Sequence, residues 1–384
     1  MLSQAHRDIV RDTVPLLETG GEVLTTHFYA MMLREYPEVR PLFNQAHQAN
    51  GDQPRALANA VLMYARNIER LDQLGGLVST IVNKHVALQI LPEHYPIVGK
   101  CLLRAIEEVL GKEVATPAVI AAWAAAYGQL ADILMGVEEQ AYQEKADTPG
   151  GWRGARSFRL ERRVVESAEI SSLYFVPVDG DPVLRHQPGQ YLGLKLLING
   201  QEHRRNYSLS AMADGVRYRI SVKREPGGVV SNFLHDDLAI GGVVEVFPPS
   251  GEFVLAPGDK PVALISAGVG ITPTLAMLEA ALQTSRPVYF IHCARSRAAQ
   301  AFAPWLQSLA AQHKQLRCFY RYEDEDGRLD DAALADWLPR ERNLDAYFLG
   351  PKGFMAAVQT SLRALGVPQE QCRYEFFGPA AALH

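Results

Sequence analysis

The stretch Arg205-Asn206-Tyr207-Ser208 follows Pro188-Gly189-Gln190-Tyr191 and precedes the loop Gly268-Val269-Gly270-Ile271-Thr272-Pro273. An arginine fork suits a pyrophosphate, tyrosine brings an aromatic face and a phenol, and serine offers a hydroxyl to a ring nitrogen. Together these residues read as a seat for FAD. Gly268 and Gly270 follow an apolar strand pattern and precede a helical one, so backbone N–H groups there could approach the pyrophosphate of NADPH or NADH. Pro273 suits the start of that helix. Strand-to-helix turns also use glycine for purely steric reasons, and the position after a flavin-like region is what favours the cofactor reading. Tyr347-Phe348-Leu349-Gly350-Pro351 is another strand entering a small-residue turn that could close the same cleft. Arg295-Ser296-Arg297 is a candidate for the 2′-phosphate of NADPH, the alternative being a solvated basic turn.

The elements that must position these groups fall into distinct textures. Residues 1 to 146 repeat apolar side chains at helical spacing, as in Leu57, Val61, Tyr64, Ala65 and Ile68, then Leu77, Ile81, His85 and Leu88. Breakers such as Gly20-Gly21, Gly75-Gly76 and Pro117 divide this all-α region into roughly six to eight helices. Residues 147–151 read as a linker. From 152 to 256 short alternating runs separated by Gly, Pro and Asp predict a small antiparallel β-barrel. From 260 to 384 strand and helix patterns alternate, which predicts an α/β domain with a parallel sheet.

The bulk properties narrow the field. A chain of 384 residues has ample length for several cores, and 48% hydrophobic with 21% charged residues is ordinary globular composition. A net charge of −5 with interspersed signs offers no face for nucleic acid. The N-terminal residues lack a leader pattern and the sequence offers no run of about 18 apolar residues, so a cytoplasmic protein without a membrane segment is expected. Cys101, Cys293, Cys318 and Cys372 are too scattered for a metal site or a disulfide framework, and read as buried thiols.

What accepts the electrons is less direct. His6, His27, His47, His85 and His94 all lie in the helical half, and periodicity does not choose among them. His85 is the best placed, on an apolar stripe, although such a histidine is more often a satisfied core residue than a ligand. Tyr95 and Glu138 could fold over it and hold its second nitrogen; the alternative for both is a surface position.

Taken in order, these motifs resemble the flavohaemoglobins, the bacterial nitric oxide dioxygenase family, over essentially the full length. The helical region is similar to a bacterial globin through Phe28-Tyr29, Phe43-Asn44, Gln53, Leu57, Lys84-His85, Tyr95 and Glu138. The rest is similar to the ferredoxin-reductase group through the motifs above, Val222-Lys223-Arg224-Glu225, Gly227 to Asn232, and Tyr374-Glu375-Phe376-Phe377-Gly378-Pro379. The resemblance implies haem b with His85 as proximal iron ligand, relayed through Tyr95 and Glu138. It implies Tyr29 and Gln53 facing oxygen, Phe43 and Leu57 as pocket walls, Lys84 near the haem edge, and room for a lipid in the pocket. It also implies FAD contacts from Tyr191, Arg205 to Ser208 and Phe376 to Pro379, with Phe377 shielding the flavin ring. The implied reaction runs from NAD(P)H through FAD to haem, where oxygen converts nitric oxide to nitrate. An oxygen store or sensor, or a hydroperoxide or ferric reductase using the flavin half, is the alternative. Ile271 departs from the glutamine of many relatives, and Leu349 and Phe376 from a common cysteine.

Overall fold

The computed structural model describes residues 2–43 and 52–377, without the side chains of Asp52 and Gln53. The chain divides into two compact units, one holding residues 1–145 and the other most of residues 146–377.

The N-terminal part of the first unit is built from helices among its described residues: α1 (Gln4–Asp12), α2 (Val14–Glu35), α3 (Asp52–Arg66), α4 (Gly75–Leu88), α5 (His94–Leu110) and α6 (Pro117–Asp147). Ser3 caps α1 by accepting the His6 amide at 3.2 Å. The helix α2 buries Leu24, Thr25, Phe28, Tyr29 and Met32 on one stripe. It lies against α3 and α5, and Thr25 donates its hydroxyl to the Pro54 carbonyl at 2.8 Å. Tyr64 anchors α3 by donating to the Ala126 carbonyl at 2.9 Å. The core gathers Leu24, Phe28, Met31, Met32, Tyr64, Leu102 and Trp123.

By length and composition α6 also meets the requirement for crossing a membrane, contrary to the expectation of no such segment. The core helix of a globular domain meets the same test. Here α6 buries Ala122, Trp123, Ala126, Ala131 and Leu134 and carries one buried carboxylate, Glu138.

The second unit joins two sheets. Strands β1 (Arg156–Val165), β2 (Ile170–Pro177), β3 (Tyr191–Ile198), β4 (Gln201–Ser208), β5 (Tyr218–Lys223) and β6 (Val243–Val246) pair in the order β4-β3-β6-β1-β2-β5. The antiparallel bridge Leu209↔Ile220 and the Ser210 amide to Arg219 carbonyl bond at 2.9 Å tie the end of β4 to β5, closing the barrel. A parallel sheet comes next in the order β11-β10-β7-β8-β9, from β7 (Val262–Ala267), β8 (Val288–Ala294), β9 (Leu316–Tyr322), β10 (Asp345–Leu349) and β11 (Cys372–Tyr374). Its buried strands read as continuous apolar runs, because helices α7 (Ile271–Ala281), α8 (Ala303–Gln312), α9 (Asp331–Trp337) and α10 (Lys352–Ala364) connect them. Ile170 and Phe253, contributed by the barrel region, share one core with Leu264, Leu275, Leu278 and Tyr347 of the α/β region. That sharing makes the two regions one unit. Cys101 is buried and the other three cysteines are half-buried, all four as free thiols.

Two histidines make this unit acid-sensitive. His292 on β8 is buried with its Nδ1 2.9 Å from Ser266 Oγ, and His186 is buried with Nε2 2.8 Å from the Ala211 carbonyl. Burial pushes both down from 6.5 to about 4. The unfolded chain therefore takes up a proton first as pH falls. The stability each contributes is complete above 6.5 and lost between there and about 4, on the order of 3 kcal/mol apiece. Urea unfolding of His292→Asn combined with His186→Asn should show a flatter acid limb; an unchanged slope would mean that other groups set it.

Candidate functional site

The helix α4 is apolar on the face that carries Val82 and Val86, and it places His85 in its last turn. It ends at once, because Gln89 adopts a left-handed φ of 57° and its amide turns back to the His85 and Val86 carbonyls. Glu138, 2% exposed, accepts from Tyr95 Oη at 2.6 Å and lies 2.7 Å from His85 Nδ1, both on the same oxygen Oε1. His85 Nδ1 and Tyr95 Oη are themselves 3.3 Å apart. Burial and then the Glu138 contact hold the Tyr95 phenol above its ordinary range, so it stays a donor. With Nδ1–H directed at the carboxylate, Nε2 is the nitrogen whose lone pair can reach a metal. That donor set fits a haem iron.

Two more phenols hold this arrangement. Tyr127 donates to the Tyr95 carbonyl at 2.6 Å, and Tyr142 donates to the Ile90 carbonyl at 2.8 Å, just past the end of α4. Neither was singled out from the sequence. The signal was present, since Tyr127, Ala131, Leu134 and Tyr142 share one cluster and recur, with Glu138, at helical spacing on one face of α6.

On the other candidate side, Tyr29 is buried, with its ring edge-on to Phe28 at 4.9 Å and to Phe43 at 5.5 Å between centroids. Leu57 is partly buried against the same core as Phe43. Tyr29 lies one turn beyond Thr25, and Leu57 one turn beyond Gln53, so the Thr25–Pro54 bond sets these facing stretches in register. Lys84 is half-buried. Asn44 and the side chain of Gln53 lie outside the described residues.

In the second unit the flavin candidates converge through backbone geometry. Gly189 has φ 108°, and a Cβ there would sit 2.0 Å from the Phe253 carbonyl oxygen. The turn it permits sends Gln190 O to the Leu209 amide at 2.9 Å and pairs Tyr191 with Ser250 through two bonds of 2.9 Å. Tyr191 thus stands beside the end of β4. The pleat puts Arg205 and Tyr207 on one face of β4, with Tyr207 against the barrel core, and Asn206 and Ser208 on the other, Asn206 exposed and Ser208 buried. Burial lowers the Arg205 pKa, a penalty that a phosphate partner would offset. Burial first, then the carboxylates of Glu375 and Glu252, raise the Tyr191 phenol. The C-terminal segment therefore reaches the same neighbourhood, with Phe376 edge-on to Tyr374 at 5.8 Å and Phe377 48% exposed. Gly378 and Pro379 lie outside the described residues. Gly251, not anticipated from the sequence, leaves room for the Tyr191 ring, since a Cβ there would lie 2.7 Å from Tyr191 Cε1.

The loop from Gly268 to Gly270 comes directly after β7, with Gly268 at φ 55°. A Cβ on Gly270 would sit 2.3 Å from the Leu349 carbonyl oxygen, so the loop and the Leu349-Gly350-Pro351 turn touch. The helix begins at Ile271, two residues before the expected Pro273, which still falls in the first turn where amides lack helical partners. Thr272 donates to the Val269 carbonyl at 3.0 Å and closes the turn. Ile271 and Leu349, two of the departures, are buried in the shared core, where an apolar side chain is the better occupant. Arg297 is an exposed residue of the turn after β8, and its guanidinium pairs with Glu325.

An all-α unit with a buried carboxylate behind a histidine, joined to a flavin barrel and a nicotinamide sheet, defines a haem–flavin oxidoreductase. Family comparisons agree in order and extent: Globin matches residues 26–134, the oxidoreductase FAD-binding domain 157–255 and the oxidoreductase NAD-binding domain 264–360. A flavohemoprotein of Pseudomonas putida is 69% identical over 391 residues, covering 100% of both chains. The crystal structure of a flavohemoglobin from Malassezia yamatoensis with bound FAD and heme matches with TM-score 0.85 at 26% identity, over 98% of this chain and 100% of that one. The flavohem-like FAD/NAD binding domain of nitric oxide dioxygenase from Vibrio cholerae matches with TM-score 0.54 at 39% identity, over 59% of this chain and all of that one. The chain belongs to the flavohemoprotein family.

Proposed function

We propose that this oxidoreductase is a nitric oxide dioxygenase with His85 as the proximal ligand, and the observation that carries the reading is the buried Glu138 beneath His85 Nδ1 at 2.7 Å. When bound, the nicotinamide, FAD and haem supply hydride transfer, conversion to single electrons and oxygen chemistry, so that nitric oxide and oxygen leave as nitrate. The chain's part is to orient and to tune. Glu138 pulls on the Nδ1 proton and gives the imidazole anionic character, which strengthens its donation through Nε2. Tyr95 shares the load on Oε1 and keeps the carboxylate in place. Tyr29, on the far side by family resemblance, offers a phenol to developing negative charge, with Gln53 as its companion. Phe43 and Leu57 exclude water there. Arg205, Tyr191 and Ser208 hold the flavin, with Asn206 and Tyr207 on either face of the strand, and Phe377 covers its ring until nicotinamide arrives. The Vibrio cholerae match adds support, as a reductase half from a protein named for this activity.

Nitric oxide consumption under air with NADH or NADPH, together with identification of nitrate, tests the reading. A negligible rate would remove it. Tyr29→Phe should speed oxygen loss about tenfold, the effect of one missing hydrogen bond of roughly 1.4 kcal/mol. An unchanged off-rate would remove Tyr29 from the oxygen side.

A further inference from the structure

The Arg297 guanidinium, just past β8, is paired along its Nε–Nη2 edge with one carboxylate. Its Nε lies 2.8 Å from Glu325 Oε1 and its Nη2 2.8 Å from Glu325 Oε2. Its face stacks over the Tyr322 ring, 4.4 Å from the centroid, and Tyr322 is fixed by donating to the buried Gln300 Oε1. The Asp324 amide donates to the Arg295 carbonyl at 3.1 Å, which pins the run Glu323-Asp324-Glu325-Asp326 beside the turn at the end of β8. The other cations of this edge are also committed: Arg295 to Glu169, Arg321 to Asp330 at 2.9 Å, and Arg328 to Glu323 at 2.9 Å.

In a parallel nucleotide-binding sheet the adenosine ribose lies at the carboxyl end of the strand after the glycine loop, where an acid favours the free 2′-hydroxyl and an arginine a 2′-phosphate. The end of β8 is that place in this chain. A 2′-phosphate would bring nearly two negative charges against four consecutive carboxylates, and Arg297 there already has a bidentate partner. We infer that Glu325 is a specificity-determining residue that selects NADH over NADPH by occupying Arg297. This inference rests on the nicotinamide-dependent reading above.

Isothermal titration of the holoprotein with adenosine 5′-monophosphate and adenosine 2′,5′-bisphosphate reads the site without turnover. The unaltered protein should bind the bisphosphate no more tightly than the monophosphate. Glu325→Gln should shift the ratio of the two affinities about tenfold toward the bisphosphate, and adding Arg297→Ala should reverse that shift. Glu325 is a half-exposed surface side chain, so its replacement leaves the fold intact. A bisphosphate preference of tenfold or more in the unaltered protein, abolished by Arg297→Ala alone, would overturn the inference, because Arg297 would then exchange carboxylate for phosphate. An unshifted ratio in Glu325→Gln would overturn it too. Binding of neither nucleotide would bring down the underlying nicotinamide reading as well.

Discussion

His85→Ala should yield a protein without a haem Soret band that still shows flavin absorbance. His85 Nε2 is the candidate iron ligand, and among the described residues no group of three His, Cys, Asp or Glu side chains could hold a metal in its place. Loss of an axial ligand removes the bond itself, whereas altering the group behind it costs only about 10–100-fold in affinity. The substitution also leaves Glu138, 2% exposed, with Tyr95 as its remaining donor of the pair, at a cost of roughly 1–3 kcal/mol in the first unit. The second unit keeps its own cores. A visible spectrum matching the unaltered protein's in the haem region would exclude His85 as the ligand.

Gly189→Val should do the converse, emptying the flavin site while haem absorbance persists. Its Cβ would fall 2.0 Å from the Phe253 carbonyl oxygen and 2.5 Å from Met277 Cε, on a backbone at φ 108°. A β-branched residue in that region costs of the order of 1–3 kcal/mol in strain, and displacing packed core a similar amount again. Because Phe253 is backbone here and cannot swing aside, the turn itself must move. Gln190 then loses Leu209, and Tyr191 loses Ser250. The flavin-to-haem absorbance ratio of purified protein, with calorimetry of the reductase transition, measures the outcome. Full flavin content with an unaltered transition would show that the turn does not position the seat.

The order of all-α unit, antiparallel barrel and parallel sheet was readable because periodicities of 3.6 and 2 change sharply along the chain and Gly-Pro clusters mark the changes. The Gly268 loop alone left a steric reading open, and its place after Arg205 to Ser208 is what favoured a cofactor. The candidate proximal histidine was not distinguishable by spacing alone. His85 sits on an apolar stripe as a core histidine would, and what distinguishes it is Glu138, 53 residues away in sequence. Only family likeness joined them beforehand. Tyr127, Tyr142 and Gly251 escaped for a related reason, since each acts through a carbonyl or a ring on another element. The pairing of Arg297 with Glu325 likewise joins residues separated by a helix and a strand, so it was not legible in the basic turn alone.

Ile170 and Phe253 bury themselves against Leu264, Leu275 and Leu278, residues that leave the ribosome after the whole barrel has been made. At synthesis rates of about 5–20 residues per second, the barrel waits several seconds with part of its apolar lining uncovered. The flavin seat therefore matures late, when the nascent chain has delivered the strand and helix that complete it. A premature stop anywhere between 256 and 282 would release an adhesive fragment in place of a smaller working protein.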